Sequence, residues 1–216
     1  MFVNAPLGHV ARLWRYPIKS LAAEALAHAD VVESGVAGDR GTALFVATPD
    51  RARTGKPYRG KEHARLHTVA TTREADVLAR ERDLALERHD AGPYFDLDPI
   101  SILFDTWLAD VARALATDFD PLRFRPNIFV TAAGDFLEAE SALVDRIVRI
   151  GAVRLKITQT ITRCVTPSYD VATGDADPRL LAHLTRARDN TMGVYASVVR
   201  TGRISPGDAV EFADAR

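Results

Sequence analysis

The chain has one cysteine in 216 residues, and that scarcity excludes a good deal. A lone thiol cannot close an intramolecular disulfide, and it cannot build a cysteine-only zinc site. Excess charge is nearly absent too. The 28 Lys and Arg stand against 29 Asp and Glu, a formal net of -1, so the chain as a whole offers no basic footprint for nucleic acid. No apolar run is long enough to cross a bilayer. The first twenty residues lack the basic-then-apolar layout of a secretion signal, which points to a cytoplasmic protein. Walker and dinucleotide-binding glycine fingerprints are missing, as are internal repeats and low-complexity segments. What remains is a soluble globular balance, 47% hydrophobic and 26% charged, in a chain long enough for one large domain or two small interlocked ones.

The apolar pattern predicts many short strands and few helices. A strand through His9–Tyr16 should end at Pro17, leaving Lys19 and Ser20 on the turn that follows. Residues 24–33 read as a second strand. Gly35 to Gly41 is a tight connection carrying Asp39 and Arg40, and Ala43–Ala47 is another strand. Residues 50–65 are the most basic cluster and read as an exposed loop, with substrate capture as the lesser reading. Thr71 or Thr72 should cap a short helix running to Arg82, with Glu74 in its first turn. Asp98-Pro99 should open the clearest helix, because Ile100, Leu103, Phe104, Trp107, Leu108, Val111 and Leu115 recur at helical spacing. Ser101 would then lie near exposed N–H groups that welcome an anion. A strand over 123–131 carries Arg125 and Asn127, and short strands follow in 144–158 with Gly151 as a turn. Asp177-Pro178 should start a third helix, and 193–199 and 207–212 close the chain as strands. The sum is an α+β fold, a β-barrel core with a few helical excursions.

Cys164 lies just past an alternating run (Val153, Leu155, Ile157), follows Arg163, and leads into a polar loop with Asp170 and Thr173-Gly174. Three readings stand: a buried packing thiol, a nucleophile, or a single soft ligand to a metal held mostly by something else. An adjacent cation favours the thiolate, but strand neighbours face opposite ways, so sequence leaves the direction of Arg163 open. The other cations also have two readings each. Lys19 could face a ligand or solvent. Arg40 could serve an anion or pair with Asp39. The fork of Arg125, stiffened by Pro126, could take phosphate or pair with Asp118 or Asp120.

Six segments stand in order over nearly the whole chain: YPIKS at 16–20, GVAGDR at 35–40, RFRPNIFV at 123–130, RC at 163–164 with Asp170 and Thr173-Gly174 behind it, GVY at 193–195, and ISPGDAV at 204–210. Together they resemble MOSC-domain proteins with an N-terminal β-barrel module, and are most similar to the amidoxime-reducing branch. The resemblance implies a β-barrel-rich MOSC fold with the module at 1–90 and the MOSC domain at 91–216, sharing a cofactor cleft. It implies molybdenum–molybdopterin, with Cys164 as metal ligand and catalytic residue. It places cofactor contacts at Lys19, Ser20, Arg40, Arg125, Asn127, Thr162 or Arg163, and Tyr195, with Ser101 as an additional position. Asp170 would orient substrate, deliver a proton, or simply stabilise its turn. The implied activity is reduction of N-hydroxylated substrates by a monomer. Electrons would come from a separate donor of ferredoxin, flavodoxin or cytochrome b5 type, because one cysteine cannot house an iron–sulfur cluster. Two alternatives remain: a carrier of the cofactor or of sulfur, and a relative with an inert thiol. The chain departs from the family where Val171 follows Asp170, where Pro167 comes early, and where Leu21-Ala22-Ala23 follows YPIKS.

Overall fold

A computed structural model describes residues 6–134 and 136–213. The first part of the chain, as far as His89, gives β1 (Pro6–Arg15), β2 (Glu24–Leu26), β3 (Ala29–Val32), β4 (Gly35–Val36), β5 (Ala43–Val46), α1 (Thr72–Arg80) and β6 (Leu86–His89). The second gives β7 (Ile100–Phe104), α2 (Asp105–Leu115), β8 (Ile128–Ala132), β9 (Ile147–Ile150), β10 (Val153–Thr162), α3 (Pro178–Ala187), β11 (Thr191–Arg200), β12 (Gly202–Ile204) and β13 (Ala209–Phe212).

Seven strands close into a barrel in the order β1-β8-β7-β11-β10-β9-β13 and back to β1, with β2 added outside β1. Only β7 and β8 run parallel among these pairs. Closure pairs both sides of each of these seven strands, so the barrel itself has no open edge. Alternation supplies the core: Val153, Leu155 and Ile157 of β10 turn inward and meet Val10, Ile128, Val148 and Val194. Closure also needs a close approach at one corner. Gly8 has φ +154, and a Cβ there would sit 2.1 Å from the carbonyl oxygen of Thr131.

A smaller second core gathers Leu21, Leu44, Val46, Tyr58, Leu66 and Leu78 under the β5–β6 pair and α1. Helix α1 starts where expected. Thr71 accepts from the N–H of Glu74, and Glu74 reaches back to the N–H of Thr71. Asp177 likewise caps α3 ahead of Pro178.

Three expectations need correction. The helix foreseen from Asp98 begins only at Asp105, and Ile100–Phe104 is a barrel strand with all five residues buried. A strand covered on both faces reads as one continuous apolar run, and this run happened to meet helical spacing as it entered α2. Ser101 therefore lies in mid-strand and not at a helix N-terminus. The strand expected from Arg123 starts at Ile128, because Pro121–Phe124 forms a 3-10 turn and Arg125 takes a left-handed φ of 52. The stretch 24–33 is two strands, β2 and β3. Among the described residues, no helix is long and apolar enough to cross a membrane.

Candidate functional site

The loops of the second core meet the barrel where β10 ends, and there a cleft of about 330 Å³ opens. At Thr162 the strand alternation gives way to Arg163 and Cys164, whose side chains diverge as neighbours on extended backbone do. The Cys164 thiol is exposed, with Sγ 3.2 Å from Oγ1 of Thr166. Arg163 turns inward instead. Its Nε donates to the carbonyl of Met192 at 2.8 Å and its Nη1 to that of Phe124 at 2.9 Å. Burial pulls its pKa down to about 10, still protonated at neutral pH. Gly193 makes room for this strut: it has φ +81, and a Cβ would meet Arg163 Nη2 at 3.2 Å.

Arg125 is the unusual cation. It does not pair with Asp118 or Asp120; its guanidinium lies over the ring of Tyr16 at 4.1 Å, and its Nη2 is buried with no partner. Burial lowers its pKa to about 10. Tyr16 is itself walled in, donating to the carbonyl of Pro126 at 3.0 Å, and burial pushes its phenol far up. Arg40 stands 4.8 Å over the other part of this aromatic wall and pairs with Asp39, whose second oxygen accepts the N–H of Tyr16. Lys19 is nearly buried, donating to the carbonyl of Tyr94 and to Asp96. Lys19 and Arg40 thus have counter-ions and Arg125 has none among the described residues; a buried cation without one is costly unless an anion arrives.

The structure thus gathers Cys164, Lys19, Ser20, Arg40, Ser101, Arg125, Thr162, Arg163 and Tyr195 around one cleft. Two expected residues do not line it. Asn127 is 1% exposed; its Oδ1 accepts the N–H of Ser101 at 3.1 Å and its Nδ2 donates to the carbonyl of Trp14 at 3.3 Å, so it ties β1, β7 and β8 together behind the wall. Asp170 closes its own turn, accepting from the N–H groups of Ala172 and Thr173 and from Arg123. Those two N–H groups, with Arg123 adding to them, hold its carboxyl below the usual range. Arg123, which the sequence does not single out, has a task of its own. It lines the cleft and donates to the carbonyls of Pro167 and Ser168 as well as to Asp170, clamping the loop that carries the thiol. Arg59 and Lys61, read from sequence as exposed-loop cations, also line the cleft. No three His, Cys, Asp or Glu side chains gather as a metal site among the described residues.

His67 latches the second core to this loop: its Nε2 donates to the carbonyl of Asp170 at 3.0 Å, while Nδ1 is buried without a partner. Burial holds its pKa below the ordinary value, with Arg125 and Arg123 pushing the same way against Asp170. Burial lowers His63 as well. The unfolded chain takes up these protons first, at a pH near 6.5, so stability should be complete above that and fall as pH drops. The urea midpoint at pH 5.5 should lie below that at pH 7.5, and His67→Gln should shrink the difference. Equal midpoints in the wild type would refute this.

The fold and the cleft define a class: a closed β-barrel with a cationic cleft and an exposed thiol on its wall. The MOSC domain family matches residues 94–211, and the MOSC N-terminal beta barrel domain family matches residues 7–91. The chain belongs to the MOSC domain family. None of the curated proteins compared with the sequence matches it. The YUAD protein from Bacillus subtilis has a similar structure, with TM-score 0.60 and 16% identity over 100% of both chains. A crystallised hypothetical protein gives TM-score 0.51 and 12% identity over 97% of this chain and 70% of that one. YiiM from Escherichia coli gives 0.49 at 12% identity over 98% and 72%. At such identities the likeness to the first two is one of fold.

Proposed function

We propose that the protein binds a molybdenum–pterin cofactor and reduces N-hydroxylated compounds, amidoximes or hydroxylamines, with electrons from a separate donor protein. One observation carries the reading: an unpartnered buried guanidinium, Arg125, and the exposed thiol of Cys164 face the same cleft. The residues fit the group. A phosphate-bearing pterin would give Arg125 Nη2 its missing acceptor, with Lys19, Ser20 and Arg40 completing an anion cradle. A thiolate is a soft donor suited to a metal whose other ligands come from the cofactor. When bound, the cofactor supplies two-electron redox chemistry.

The chain's own residues bind and orient. Arg163 fixes the end of β10 to β11, and Arg123 and Asp170 hold the loop after Cys164, so the thiol is presented from a rigid seat. Each turnover takes two electrons and two protons and releases water as the N–O bond breaks. In this reading residues 1–90 and 91–216 are two modules contributing to one cleft, the protein is a cytoplasmic monomer, and the single cysteine leaves no iron–sulfur cluster in this chain. The exposure of Cys164 equally serves a second reading, a carrier of cofactor or sulfur without turnover.

The test is to purify the protein from a host that makes the cofactor, quantify molybdenum and pterin, and assay benzamidoxime with a chemically reduced mediator. Near-stoichiometric metal and pterin with turnover is expected. Cofactor without turnover would leave the carrier, and absence of both would sink the reading.

A further inference from the structure

Lys61 lines two cavities, the cleft and a second one of about 300 Å³ cut into the edge of the second core. This volume is at the small end for a ligand site. Its walls are apolar where Val46, Ala64 and Leu84 approach the ring of Tyr169. Its polar groups are less settled than those of a packed surface. Arg53 is neutralised by Glu62 at 3.0 Å. Lys61 and Arg82 are exposed, and their side chains have no carboxylate or hydrogen-bond partner among the described residues; Glu62 is the one carboxylate in the lining. Tyr58 is 2% exposed, and its hydroxyl is buried with nothing to bond. Buried phenols normally find a partner, and an unpaired one is a cost the fold would shed unless something occupies the site. Burial pushes the Tyr58 phenol up, Glu62 and Glu81 add to that, and the charge of Arg82 opposes it.

We propose that this second cavity binds a small organic carboxylate, its apolar body against Val46, Leu84 and Tyr169 and its charged end accepting from the Tyr58 hydroxyl beside Arg82. A carboxylate suits the set because it is acceptor-only, matching the Tyr58 O–H and a lining in which Arg53, Lys61 and Arg82 outnumber the one carboxylate, Glu62. The apolar wall argues for an aryl or branched alkyl body. The inference does not rest on the molybdenum reading, since no residue proposed to hold the cofactor takes part.

Benzoate is the probe. Titration into the full chain, followed by amide chemical shifts and calorimetry, should saturate with Kd below about 1 mM, a modest affinity for so small a ligand. The shifts should centre on Tyr58, Arg82, Leu84 and Tyr169. Arg82→Gln and Tyr58→Phe should each raise Kd at least about tenfold, the gain expected of a charge-assisted hydrogen bond. Tyr58→Phe removes only a hydroxyl with no partner, so it should fold and keep its thermal midpoint, while Arg125→Met should leave Kd unchanged. Shifts centred on Lys19 and Arg125 and abolished by Arg125→Met would put benzoate in the main cleft and overturn the proposal. So would failure to saturate, or unchanged Kd in both Arg82→Gln and Tyr58→Phe.

Discussion

Replacing Cys164 with serine should strip molybdenum from the purified protein, leave most of the pterin, and cut benzamidoxime reduction by at least about a hundredfold. The floor on that figure comes from metal sites in general, where loss of an outer-shell partner alone costs about 10–100-fold and a direct ligand should cost no less. Pterin should survive because the proposed anion cradle is formed by other residues of the cleft, Lys19, Ser20, Arg40 and Arg125. The fold should survive because the thiol is exposed and its one close polar contact is Thr166 Oγ1. An exposed substitution of this size changes stability by no more than about 0.5 kcal/mol. Elemental analysis, pterin quantification and a urea melt on the same preparation check all three. A serine variant with wild-type metal and wild-type rate would remove Cys164 from the site.

The outline of this molecule was legible because its strongest signals are local. The alternation of Val153, Leu155 and Ile157 wrote β10, and Thr71 with Glu74 and Asp177 with Pro178 wrote two helix starts. The same local reading failed at β7. Ile100–Phe104 is covered on both faces, so it shows no alternation, and it flows into the apolar face of α2 without a break. Most cleft residues found from sequence lie inside the six family segments; Ser101 and Thr162 are the exceptions.

Residues whose place depends on long-range contacts were missed. Arg59 and Lys61 reach the cleft only because the second core brings their loop to Thr166 and Pro167, about a hundred residues away in the chain. Asn127 was expected to touch cofactor, yet its three side-chain hydrogen bonds, two to Ser101 on β7 and one to Trp14 on β1, hold it behind the wall, a fact set by the barrel's registration. Arg123 differs from Arg125 by two positions, and the left-handed turn at Arg125 sends the two guanidinia to different tasks. One clamps the thiol loop; the other is left without a partner.

That missing partner leads to the second large effect. Arg125→Met should hold or raise the stability of cofactor-free protein while lowering pterin retention at least about tenfold. Burial has pulled the arginine's pKa well down from its ordinary value, to about 10, so below that pH the protein carries a cation it would rather not bury. At about 1.4 kcal/mol per unit, this corresponds to a cost of roughly 3 kcal/mol, which the methionine removes. Against it stands the lost contact with the Tyr16 ring, worth on the order of 1–2 kcal/mol. The balance favours the variant by up to about 2 kcal/mol, the reverse of what large core substitutions usually do. Loss of a charge-assisted bond to the cofactor runs the other way, at about 1.5–3 kcal/mol, or tenfold and more. Urea melts of protein from a host unable to make pterin, beside pterin content from one that can, separate the two signs. A variant that is clearly less stable and still fully loaded would show that Arg125 serves the fold and that the cradle lies elsewhere.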